Sequence, residues 1–209
     1  MERRQDRREQ MDELAAAIRE CRRCPLWKDA RHAVPGEGNI DAQLLFVGEA
    51  PGQREDLTGR PFVGRAGALL EELLAGIGLS RGDVFIANIV KHRPPGNRDP
   101  RESEVAACTP YLERQIRLIG PAIIATLGRH SSRYILSKVP VDFERITDIR
   151  GRIYAAEVFG RAVRIIPTVH PAAALYNPRY RAMLEEDFRT IEEEIRRLPD
   201  TAATPHSQG

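Results

Sequence analysis

QLLFVGEAPGQREDLTGRPFVGRAGALLEELL, Gln43 to Leu74, is the stretch from which the fold can be read. Leu44 to Val47 is a short apolar run bounded by turn residues, the pattern of a buried strand. Gly48-Glu49-Ala50-Pro51-Gly52 breaks it, because glycine and proline together force a sharp turn. A polar loop follows, and near Gly67 an amphipathic helix is expected to begin. Strand, tight turn, loaded loop and helix form the arrangement in which α/β proteins hold ligands, at the carboxyl end of a strand. Glu49, Gln53, Glu55 and Asp56 crowd a turn that needs none of them, and Phe62 sits apolar in a loop. The stretch therefore reads as one wall of a site.

Working outward, the first twenty residues carry Met11, Leu14, Ala15 and Ile18 at helical spacing beside many charges. Pro25 ends that helix, and residues 26–41 read as loop. Leu69, Leu70, Leu73, Leu74 and Ile77 mark one face of a helix over 66–77, closed by Gly78. Val84 to Val90 is a second buried strand, and the segment Arg93 to Pro100, RPPGNRDP, is an exposed loop. A helix over 103–119, a strand over 122–127 and a short helix after Gly128-Arg129-His130 come next. Segments 153–158 and 162–168 flank Gly160 as a β-hairpin or as two neighbouring strands, the second leading into His170-Pro171. A last helix is expected over 179–198, and residues 199–209 as a disordered tail. Strands alternate with helices, which predicts one α/β domain over residues 1–198, with a central, mostly parallel sheet flanked by helices. Its strand ends gather the Glu49 turn, Asn88 to Asn97, and His170 on one edge.

A chain of 209 residues can bury a sizeable core, and 42% hydrophobic with 30% charged residues is a globular composition. A net charge of +2 permits a polyanionic partner without naming one. No apolar run nears the roughly 20 residues of a membrane helix. The start, MERRQDRREQ, lacks the apolar middle of a signal peptide, so a cytoplasmic location is expected. Three cysteines do not make a disulfide framework. Cys21-x-x-Cys24 has the spacing of a metal or redox pair, and Cys108 can join it only through the fold.

Read together, GEAPG with GRPFVGRAG, NIVK with RPPGNRDP, HP with AAAL, and the Cys-x-x-Cys with Cys108 resemble the type 4 uracil-DNA glycosylases. These form the iron–sulfur branch of the uracil-DNA glycosylase superfamily, and the motifs span nearly the whole chain in the family's order. The resemblance implies a monofunctional enzyme of base excision repair that hydrolyses the N-glycosidic bond of uracil in single- or double-stranded DNA. It is expected to act as a monomer and to leave an abasic site. Such chemistry requires the base to leave the stack and enter a pocket. Phe62 supplies an aromatic face for the ring. Asn88 can donate to one ring atom and accept from another, which reads uracil and rejects cytosine. His170 donates to the charge that develops on O2 of the leaving uracil. Glu49 is the candidate for orienting the water and stabilising the cationic sugar, with Asn97 as a second water ligand. Type 1 relatives carry an aspartate one position later, at Ala50, so the resemblance leaves that role open. Gly52 and Gln53 are expected to line the pocket. Leu175 is the candidate wedge for the gap in the stack, and Arg179, Arg181, Lys91, Arg93 and Arg98 are candidates for phosphate contacts.

The family carries four cysteines on one [4Fe–4S] cluster, but this chain has His92 where the third is expected. Cys21, Cys24, His92 and Cys108 would then hold the cluster, tying the end of the first helix to the Cys108 helix. Three cysteines and a histidine equally suit tetrahedral zinc. A covalently crosslinking branch of the superfamily also has a histidine there. Its nucleophilic histidine, however, falls where this chain has Asn97, which implies turnover. Two other readings remain, a metal-cluster nucleic-acid-binding module without chemistry and a zinc-bearing hydrolase of small nucleotides.

Overall fold

The computed structural model describes residues 2–199, so the expected tail beyond Pro199 lies outside the described residues. Its centre is β2, Leu44–Gly48, buried along its whole length. Leu44 and Phe46 turn to one face of the sheet and Leu45 and Val47 to the other, the period-2 alternation of a strand covered on both sides. β2 pairs in parallel with β3 (Phe85–Asn88) on one side and β4 (Ile123–Leu127) on the other. β4 in turn pairs in parallel with β6 (Arg161–Thr168). Two antiparallel strands close the edges: β1 (Glu37–Gly38) on β3, and β5 (Tyr154–Val158) on β6. The order β1-β3-β2-β4-β6-β5 is the expected mostly parallel sheet.

One face packs against α1 (Glu2–Arg19), α4 (Glu102–Ile119) and α5 (Arg129–Leu136), through Met11, Leu14, Ile18, Leu112, Ile116 and Ile135. The other carries α3 (Arg65–Gly76) and α8 (Pro178–Arg196), through Leu70, Leu74, Leu184, Phe188 and Ile191. Phe46 of β2 stacks on Phe188 of α8, ring centroids 5.6 Å apart. The open choice over residues 153–168 resolves as a hairpin, with Phe159 and Gly160 at φ 53° and 74° in its two-residue turn.

Several short elements differ from the expectation. The polar loop after Gly52 contains α2 (Gln53–Thr58), held by the Glu55 carboxylate at its start and by a left-handed Gly59 at its end. Residues 26–41 hold a 3-10 turn at Pro25–Lys28 and strand β1, each too short to show a period. Buried Asp56 accepts from the Arg31 amide at 2.8 Å and so anchors this loop to α2. The RPPGNRDP segment, expected as loop, holds a 3-10 turn at Pro95–Asn97, and there are two four-residue helices, α6 (Ile146–Ile149) and α7 (Pro171–Ala174).

Candidate active site

β2 has neighbours on both sides, and the chain leaves its carboxyl end toward β3 before returning past it to β4. Order reversals of this kind open a crevice beyond the strand ends. A cavity of about 380 Å³ lies there, lined by Glu49, Gly52, Phe62, Asn88, Asn97 and His170 together with Glu55, Arg98 and Asp99. The three expected sets of residues therefore meet. Gln53 does not join them: as the first residue of α2 its side chain is exposed, because the helix turns that position outward.

Gly48 and Asn88 are register partners at the ends of β2 and β3. A Cβ on Gly48 would stand 2.3 Å from Asn88 Oδ1 and 2.8 Å from the Phe62 ring, so glycine is what lets these two groups share the cavity wall. Asn88 is only 1% exposed, yet its Oδ1 meets no hydrogen-bond donor among the described residues. A buried acceptor without a partner costs about 1–3 kcal/mol, a cost that a ligand N–H would remove. Asn88's own carbonyl is fixed by the Lys91 ammonium at 2.9 Å, which also donates to Gln115 Oε1 at 2.7 Å. That contact corrects one expectation. Lys91 is 0% exposed and is not available to DNA phosphates; burial pulls its ammonium down to about 8, against the pull of Cys108.

Phe62 adopts φ 50°, a left-handed backbone that is strained for a bulky side chain. The surroundings hold it there: Arg81 donates to the Phe62 and Pro61 carbonyls at 2.9 and 2.6 Å. Glu55 accepts from the amides of Gly52, Val63 and Gly64 at 3.1, 2.8 and 2.9 Å. Neither prop is among the expected pocket residues, although Glu55 belongs to the polar turn read as a wall of the site. Glu55, three residues after Gly52, has a capping-box spacing that a sequence can show; nothing in the sequence marks Arg81.

The His170 ring lies 5.8 Å from that of Phe62, at 29°. Its Nδ1 accepts from the Ala172 amide at 3.1 Å. In the neutral ring the proton then sits on Nε2, available as a donor. Burial pulls the imidazole down to about 4, opposed by the charge of Glu55, so the ring is neutral at pH 7.

Glu49 Oε2 lies 3.8 Å from His130 Nε2, which is itself 3.1 Å from Asp99 Oδ2. Burial pushes the Glu49 carboxyl above the usual carboxylate range; His130 opposes that push, Asp99 adds to it and Arg129 opposes it. Asn97 has a left-handed backbone, φ 56°, and its Oδ1 accepts from Arg93 Nε at 2.7 Å. Its amide is left with N–H groups to donate and cannot serve as a base.

The cysteines lie on the α1–α4 side. Cys21 and Cys24 are half-buried and Cys108 is buried. The Lys91 amide donates to Cys108 Sγ at 3.2 Å, as amides do to ligating thiolates. Burial pushes the Cys108 thiol up to about 11; Lys91 lowers it, while Cys24 and Cys21 raise it. His92 follows Lys91 directly and shares with Cys21 a cavity of about 470 Å³. Burial lowers its basicity, against the charge of Asp56, which suits a neutral imidazole ligand. Three thiols and a neutral imidazole are the donor types of a four-ligand metal group, although the described ligand atoms that lie within 4.8 Å of one another in a group of three are those of Glu49, Asp99 and His130.

Leu175 caps α7, whose Ala172 lines the cavity, and packs partly against the apolar cluster that contains Phe62 and Leu70. Its neighbour Tyr176 is the exposed apolar residue there, 79% accessible, with the Arg65 guanidinium 5.7 Å from its ring centre. Arg179 is exposed, whereas Arg181 pairs with Glu72 and Glu185, and Arg98 with buried Glu104 at 2.6 Å.

The profile of the uracil DNA glycosylase superfamily matches residues 35–196. A type-4 uracil-DNA glycosylase of Saccharolobus solfataricus is 53% identical over 192 residues, covering 91% of this chain and 89% of that protein. Those of Sulfurisphaera tokodaii and Archaeoglobus fulgidus are 52% and 47% identical, each over 88% of this chain and over 84% and 93% of their own lengths. With the matched region running from before β1 to the end of α8, through every element that lines the cavity, the chain belongs to the uracil DNA glycosylase superfamily.

Proposed function

We propose that this protein is a uracil-DNA glycosylase that hydrolyses the bond between uracil and deoxyribose in DNA, releasing the base and leaving an abasic site. The observation that carries this reading is the buried, unpartnered Oδ1 of Asn88 in a cavity shared with Phe62 and a neutral His170. Uracil turned out of the stack lies against Phe62 and gives its N3–H to Asn88 Oδ1, while the amide N–H of Asn88 donates to O4. Cytosine has an acceptor at N3 and a donor at C4, and meets the same amide with both signs wrong.

As the C1′–N1 bond breaks, its electron pair leaves with uracil and negative charge grows on O2. The Nε2–H of His170 donates to that oxygen, an interaction that strengthens toward the transition state. Water attacks C1′ and forms the new C–O bond. Glu49 accepts its proton and its charge stabilises the cationic sugar, while the Asn97 amide donates to the water oxygen. Glu55 and Arg81 hold the loop that carries Phe62.

The test is an oligonucleotide with a single uracil, incubated as single strand and as duplex, then treated with alkali to cleave abasic sites. Strand cleavage at uracil, with none at cytosine in the same position, is expected. Absence of cleavage in both forms of DNA, with binding retained, would leave only the non-catalytic module.

The Leu175–Tyr176 corner fills the gap left in a duplex. Stacking of one aromatic on a base contributes about 1–3 kcal/mol. Leu175→Ala and Tyr176→Ala are therefore expected to slow excision from duplex by about tenfold or more, and from single strands far less, since no stack is left open there. Equal losses on both substrates would remove the wedge role.

Cys21, Cys24, His92 and Cys108 would hold a [4Fe–4S] cluster, which supplies a cross-link between the end of α1 and α4 and takes no part in bond breaking. Freshly purified protein is expected to absorb broadly near about 400 nm and to contain iron. Colourless protein with one zinc per chain would replace the cluster by the tetrahedral alternative. Cys108→Ser is expected to lose the colour and to melt at lower temperature.

A further inference from the structure

Glu49 stands between two cavities. One is the base pocket; the other, of about 760 Å³, lies behind it and is bordered by Glu49, Asp99, Thr109, His130 and Tyr134. His130 Nε2 is 3.1 Å from Asp99 Oδ2 and 3.8 Å from Glu49 Oε2, and neither carboxylate forms an ion pair with any other described residue. The three side chains follow three adjacent strands: Glu49 after β2, Asp99 after β3 and His130 after β4. One imidazole edge therefore bridges the crevice at the switch in strand order.

We propose that His130, anchored by Asp99, is a positioning residue for Glu49, holding its carboxylate in the orientation from which it accepts the proton of the attacking water. This rests on the reading that Glu49 orients that water. At 3.8 Å the contact is longer than a hydrogen bond, and a small rotation of the Glu49 side chain would let it share the Nε2–H that faces Asp99. A base oriented by a further group, itself held by a third, is the arrangement by which enzymes fix the geometry of proton transfer.

The arrangement also sets the ionisation of Glu49. The charged groups that register on it are His130 and Arg129 of α5, which favour the carboxylate, and Asp99, which disfavours it. Other titratable groups border the same two cavities. Glu55, Arg98 and His170 lie on the pocket side. Glu102, Glu113, Arg133, Tyr134 and Lys138 lie on the far side. Glu49 must lose its proton to act, so excision rises with pH through its ionisation. Removing His130 takes away an imidazole that, when protonated, favours the anion, and so moves this acid limb to higher pH. Removing the Asp99 charge moves it to lower pH.

The experiment is single-turnover uracil excision on a single-stranded oligonucleotide between about pH 5 and 9, with DNA affinity and melting temperature measured in parallel. Glu49→Gln is expected to lose about a hundredfold in rate, together with the limb. His130→Gln shifts the limb upward and Asp99→Asn shifts it downward, both with DNA affinity unchanged; His130→Arg, which keeps a cation, restores it toward wild type. If Glu49→Gln keeps both rate and limb, the role of Glu49 fails and this inference with it. If Glu49→Gln loses both but His130→Gln and Asp99→Asn leave the limb where it stands in wild type, the positioning role alone is overturned. Should His130→Gln not fold, the direction of the Asp99→Asn shift decides.

Discussion

Asn88→Ala is expected to lose uracil excision by at least about a hundredfold, with little change in affinity for undamaged DNA. The loss on that scale follows from the site's construction. Asn88 is 1% exposed and its backbone is clamped by the buried Lys91 ammonium, so the amide cannot swing away to satisfy itself elsewhere. Folding leaves its Oδ1 unpaired, a cost recovered only when a ring N–H arrives. Sites built to hydrogen-bond a ligand lose orders of magnitude when the matching pair is broken, far more than an apolar contact of equal size gives. Alanine removes both the donor and the acceptor and opens room for water beside Phe62. The measurement is single-turnover excision at saturating enzyme, with melting temperature as the check on folding. A rate within about tenfold of wild type in a folded variant would remove Asn88 from base recognition.

His170→Gln is expected to lose about a hundredfold to a thousandfold, the range found when one donor to a developing oxyanion is removed. Glutamine keeps an amide N–H but loses the rigid ring whose Nδ1 is held by the Ala172 amide, so its donor is no longer aimed at O2. Acid pH gives the same residue a second signature. Burial holds the folded imidazole near 4, below the ordinary value of 6.5. A depressed folded value means the unfolded chain binds the proton first, so stability is intact above the ordinary value and is lost as pH falls through the folded one. Wild type should therefore lose melting temperature between about pH 6.5 and 4 more steeply than His170→Gln does. The excision rate should show no inflection from His170 above about pH 5, because the ring is already neutral there. A variant with the wild-type acid dependence of stability would place His170 in an environment less buried than this structure gives it.

Much of this protein was legible in one dimension. The apolar run Leu44 to Val47 and its GEAPG break predict a buried strand ending in a site, because strand burial and turn chemistry are properties of adjacent residues. The same local logic placed β4 and the four long helices to within a few residues and left segments 153–168 as a hairpin or two neighbouring strands, and the alternation predicted the parallel sheet. Glu49, Asn88 and His170 could be gathered on one edge from the sequence because each lies at or just after the end of a strand, and parallel strands deliver their ends to one edge. The resemblance of the motifs then supplied the chemistry for that edge.

What the sequence could not determine were contacts between residues far apart in the chain. Lys91 looks like a phosphate ligand beside an arginine-rich loop, and only its partners Asn88 and Gln115 show it to be a buried clamp. Leu175 looks like a free wedge, but packs partly into the core and leaves Tyr176 exposed. Helix α2 was hidden because Glu55 caps it from within a polar run while also holding Val63 and Gly64 of the next loop. The left-handed Phe62 depends on Arg81, nineteen residues on, reaching back to its carbonyl. The Glu49–His130–Asp99 contact joins the ends of three strands that are adjacent only once the sheet has formed. Periodicity and turn propensity are set by neighbours in sequence, so they can be read from it. Side-chain burial, ionisation and mutual distance are set by neighbours in space, and for this site the tertiary structure alone decided them.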